Sequence, residues 1–107
     1  MDTDLLTVAR TLASRGWLPG IVLTESGWLH CPYRHWDDAT EADLHLAAHN
    51  EIVRRRWKYI VGRVTLTVFE SEHQMPLAVE DGTTTLSLLR CLLAACEAEE
   101  KTGGSGG

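Results

Sequence analysis

Hydrophobic positions recur along this chain with two periods, and the changes of period mark its elements. Between residues 4 and 15, Leu5, Val8, Ala9 and Leu12 return every three or four positions, the spacing of one helical face. Asp2 or Thr3 is placed to cap that helix, and Gly16 follows where a glycine commonly closes one. Trp17-Leu18-Pro19-Gly20 is a connector. Residues 21–24 and 28–31 read as two short strands joined through Glu25-Ser26-Gly27, where Gly27 is able to take the positive φ of a tight hairpin. Residues 32–38 show no period.

A long helix is expected from about residue 40 to 61, capped by Thr40 or Asp38 and started by Glu41 and Asp43 at its electropositive end. Its apolar face would be Leu46, His49, Val53, Trp57 and Ile60, with Leu44, Ala48 and Ile52 beside it and Gly62 closing it. Residues 64–69 alternate branched and apolar side chains and form the clearest strand. A further strand is expected at 77–80, with Pro76 at its edge and Asp81-Gly82 turning out of it. Thr84 or Thr85 caps a last helix to about Glu99, striped by Leu86, Leu89, Leu93 and Cys96, with Leu88, Leu92 and Ala95 adjacent. The order is α-β-β-α-β-(β)-α. It predicts an α+β fold, a small two-layer sandwich with an antiparallel or mixed sheet.

At 107 residues and 44% hydrophobic, the chain is long and apolar enough for one core, and a single domain is expected over residues 1–102. Gly103-Gly104-Ser105-Gly106-Gly107 reads as a flexible linker. No apolar run is long enough to cross a bilayer, and the N-terminus lacks the pattern of a secretion signal, so a cytoplasmic protein is expected. Three cysteines, an odd number, do not make a disulfide framework. The net charge of −5 excludes a generally basic surface. It conceals one basic stripe, however: Arg54, Arg55, Arg56, Lys58 and Arg63 are five of the ten basic residues, with Trp57 and Tyr59 among them. Arginines interleaved with aromatics suit phosphate contact and base stacking, while Glu51 paired with Arg55 at i+4 suits an ordinary solvated face.

Four of the five histidines fall between positions 30 and 49, with Cys31 among them. His45 and His49 are one helical turn apart, so their imidazoles project to one side. With Cys31 and His35 they form a Cys-x3-His…His-x3-His set, a candidate for structural zinc. This stretch resembles a C2H2 zinc finger through Cys31-Pro32-Tyr33, Trp36 and Leu46-Ala47-Ala48-His49, although Arg34 stands where a second cysteine would be. The resemblance implies a zinc staple without an open catalytic position. His49-Asn50-Glu51 is similar to the His-x-Glu element of zinc nucleobase deaminases, which implies His49 as a zinc ligand and Glu51 as proton shuttle. The Pro-Cys-x-x-Cys element of that family is missing.

The opening helix, Gly16-Trp17, Pro19-Gly20 and the closing Thr84-Thr85-Leu86 helix resemble small proteins of tailed phages and prophages. That resemblance implies an accessory protein acting by binding a host or phage macromolecule.

Together these features favour a non-enzymatic binding module whose macromolecular partner is a protein more than a nucleic acid. Its contact residues would be Trp17, Trp28 and Trp36 with Arg54, Arg55, Arg56, Lys58 and Arg63, because Trp and Arg concentrate at binding hot spots. At least one of the three tryptophans should be partly exposed. The alternatives are a divergent zinc-dependent deaminase or hydrolase using His49 and Glu51, and nucleic-acid binding through a basic helix.

Overall fold

The structure, a computed structural model, describes residues 2–32, 37–61, 65–70 and 76–106. His35, Trp36 and Arg63 lie outside the described residues.

Asp2 caps the first helix, α1 (Thr3–Ser14), by accepting from the Asp4 backbone N–H at 3.0 Å. Leu5, Ala9 and Leu12 bury its inner stripe. Two short strands follow, β1 (Val22–Leu23) and β2 (Leu29–Cys31), and Gly27 in the turn between them has φ 89°, a backbone region that disfavours any residue with a Cβ. Arg10 of α1 donates to the Gly27 carbonyl at 2.7 Å and ties the hairpin to the helix. A two-residue strand, β3 (Asp37–Asp38), pairs antiparallel with β2 to complete a small sheet. No periodicity in the sequence announces a strand this short.

The middle helix departs from expectation. α2 (Glu41–Arg54) starts with a full capping box: the Thr40 hydroxyl accepts from the Asp43 N–H, and the Asp43 carboxylate accepts from the Thr40 N–H. It ends seven residues before the expected stop at Val61. The Arg55 and Arg56 N–H groups bond back to the Glu51 and Val53 carbonyls, and Arg56 takes φ 62°. That left-handed residue reverses the chain into β4 (Trp57–Val61). Trp-Lys-Tyr-Ile-Val is an aromatic and β-branched run, and its ladder with β5 (Thr65–Glu70) outweighs the helical spacing of Val53, Trp57 and Ile60. Trp57 and Ile60 are therefore strand residues, and Arg54 and Lys58 share no helical face.

The buried face of α2 is also rotated from the expected one. Leu44, Ala47, Ala48, Glu51 and Ile52 are buried, whereas Leu46 and Val53 are more than half exposed, at 59% and 56%.

β4, β5 and β6 (Pro76–Asp81) form an antiparallel three-stranded meander. α3 (Thr85–Gly106) lies along β6 and β5, and α2 lies against β4. The Thr84 hydroxyl accepts from the Ser87 N–H at 3.2 Å and so caps α3. This helix runs past the expected end near Glu99 into the glycine-rich tail. The helices cover one face of the meander: Trp57 is buried and Tyr59 packs against the core, while Lys58 and Ile60 point outward. One apolar cluster joins all three helices to Leu18, Ile21, Leu29 and Trp57. The chain is thus a small α+β protein. No helix among the described residues is long and apolar enough to cross a membrane.

Candidate functional site

α2 carries chemistry on two sides, because residues two apart on a helix point in nearly opposite directions. One side faces a groove of about 360 Å³. Its apolar wall is Pro19, Ile21, Cys31, Leu46 and Ala47, and its polar groups are Asp43, Asn50, Glu51 and Arg54. The other side opens on a cleft of about 480 Å³ lined by Glu41, His45, His49 and Thr85, with Leu46 on the ridge shared by both.

Glu51 is the most constrained group in the groove. Its side chain is fully buried, and a buried carboxylate persists only when its oxygens are bonded. Arg54 grips both carboxylate oxygens, with its second contact at 2.8 Å, and Arg55 donates to one of them at 2.9 Å. Arg55 also reaches Glu99 of α3 at 3.1 Å and stacks over the Trp57 ring at 5.0 Å. Burial alone would raise the Glu51 carboxyl, but the two guanidiniums outweigh it and hold the group below its ordinary range. Glu51 is thus a fixed anion, poorly suited to shuttling protons.

The placement of the expected ligands follows from this division. Cys31 is buried at the end of β2 and lines the groove, whereas His45 and His49 line the opposite cleft. The structure brings the two histidines together and leaves Cys31 apart from them. Among the described residues, no three His, Cys, Asp or Glu side chains gather as a metal-binding group. His49 and Glu51 likewise do not meet: His49 Nδ1 bonds the Tyr59 hydroxyl at 2.7 Å, while Glu51 turns inward to its arginines. Cys91 and Cys96 are buried in α3 and form no disulfide, and the Cys91 thiol donates to the Ala78 carbonyl at 3.6 Å.

The basic stripe is divided as well. Arg54 and Arg55 are committed to Glu51 and Glu99, Arg56 occupies the turn, and Lys58 points out from β4. Of the tryptophans, Trp28 at the hairpin is 59% exposed, Trp17 is half-buried beneath Arg15, and Trp57 is core. The groove itself was not foreseen. Its trace on α2 in the sequence is Leu46, an apolar residue on what proves to be an outward side of the helix.

Compared with known protein families, curated proteins and solved structures, the chain matches none.

Proposed function

We propose that this protein is a non-enzymatic binding module that recognises another protein through the groove beside α2. The observation that carries the proposal is the groove itself: an open apolar trough with a few fixed polar groups, bordered by exposed Leu46. Concave sites with apolar walls and a few oriented polar groups are the usual form of recognition sites. A bulky apolar side chain of the partner would enter between Ile21, Leu46 and Ala47, and the Asn50 amide would accept and donate hydrogen bonds at the rim. Exposed Trp28 adds a second anchor of the type enriched at hot spots.

A protein partner is favoured over nucleic acid because Arg54 and Arg55 already have carboxylate partners, which leaves the basic stripe without the unbroken charge that phosphate binding needs. Three cysteines without a disulfide among them suit a cytoplasmic setting.

Selection from a displayed random-peptide library tests this. Peptides carrying a bulky apolar residue should be enriched, and Leu46→Asp, a change on an exposed position, should weaken them at least tenfold. Failure to enrich any peptide, or undiminished binding to the Leu46→Asp protein, would overturn it.

A further inference from the structure

His45 and His49 share features beyond their spacing. Both line the same cleft on the side of α2 away from the groove. Each imidazole is also anchored through the same ring atom: His45 Nδ1 lies 3.1 Å from the Thr85 hydroxyl, and His49 Nδ1 lies 2.7 Å from the Tyr59 hydroxyl. The anchors come from two different elements, α3 and β4, so each ring is oriented by tertiary structure and not by the helix alone. The Tyr59 ring meets His49 edge-on, with an interplanar angle of 85°, and further restricts its rotation.

This is the arrangement by which proteins orient metal-binding histidines. One ring nitrogen donates to an outer oxygen, which leaves the lone pair of the other nitrogen for the ion. In the tautomer whose Nδ1–H donates to its hydroxyl, each Nε2 carries the lone pair that would bind the ion. Positions four apart on a helix hold side chains roughly 5–6 Å apart at Cβ, within reach of one ion. We propose that His45 and His49 form a two-imidazole site for a late first-row divalent cation, Zn²⁺ or Cu²⁺, with Thr85 and Tyr59 as positioning residues and water completing the shell. Imidazole suits these ions, and at a given nitrogen site Cu²⁺ binds more tightly than Zn²⁺. The site shares the Leu46 ridge with the proposed protein-binding groove but uses none of its other lining residues, and it depends on neither Cys31 nor Glu51.

Calorimetric titration of the full chain with ZnCl₂ and with CuCl₂ tests the site. One ion per chain is expected, with Cu²⁺ the tighter. His45→Gln and His49→Gln should each weaken binding at least tenfold, and Tyr59→Phe by about tenfold or more, because losing an outer partner of a ligating histidine commonly costs 10–100-fold. Thermal melts without metal check that each variant folds, and His45, being exposed, decides the matter alone if His49→Gln does not. Absence of binding by the parent chain, or parental affinity in the His45→Gln protein, would overturn the site. Unchanged affinity in Tyr59→Phe would overturn the positioning role.

Discussion

Glu51 is the residue on which most of the local chemistry turns. It sits in the core side of α2, it is bonded by Arg54 and Arg55, and Arg55 carries the link onward to Glu99 of α3. Removing one member of a buried ion pair strands the others, at about 3–5 kcal/mol. Arg54 is 63% exposed, so water compensates part of its loss, and Glu51→Gln should cost about 3 kcal/mol, read as a shift in the denaturant midpoint. The pH dependence has a definite sign. A carboxyl lowered in the folded state stabilises the fold at any pH above its unfolded value near 4.5, and that contribution drains away as acidification passes through the folded value. The stability gap between the parent and Glu51→Gln should therefore hold from pH 7 to about 5 and narrow below 4.5. A gap that widens on acidification would show that Glu51 is not the ionised member. The sequence displayed the partners, since arginines three and four positions after a glutamate are visible neighbours on a helix. It did not display the burial, because that arises when α3 closes over a side that local spacing marks as solvated.

At the scale of elements, the junction of α2 and β4 separates what local pattern reveals from what packing decides. Residues 53, 57 and 60 fit a helical stripe, and residues 57, 59 and 61 fit a strand equally well. Propensity is a weak prior between them. Arg56 settles the boundary by adopting φ 62°, which costs a residue with a Cβ about 1–2 kcal/mol relative to ordinary helical backbone. Arg56→Gly should accordingly be more stable than Arg56→Ala by about 1 kcal/mol, a comparison in which both variants lose the arginine side chain equally. Equal stability of the two would mean that the reversal is not strained. Strong end signals were legible: the start of α1 at Asp2 or Thr3, the start of α2 at Thr40, the hairpin turn at Gly27 and the strand around residues 77–80. β3 was not legible, because two residues become a strand only when β2 is there to pair with them.

For the whole molecule, the α+β class was readable because helical and alternating periods are interspersed along the chain, and the α1 and α3 stripes are the ones that pack. The candidate site was less readable. His45 and His49 were visible as a pair, whereas the separation of Cys31 from them depends on which side of α2 the first sheet meets. That same packing buries Cys31, Cys91 and Cys96, at 5%, 0% and 2% exposure, with no disulfide among them. The Cys96 thiol is pushed up to about 11, chiefly by burial, which further suppresses its thiolate at neutral pH.

Cys91 and Cys96 can therefore react with a labelling reagent only when the helical core opens, whereas Cys31, which lines the groove, reports on the small sheet and the groove wall. Cys31 sits in a sheet of two- and three-residue strands, and Cys91 and Cys96 sit in the long helix that anchors the core. Mass spectrometry of the labelled protein under native conditions should find Cys31 modified first, with Cys91 and Cys96 following together at the rate of global unfolding. Simultaneous modification of all three would instead mark the small sheet and the helical core as one cooperative unit.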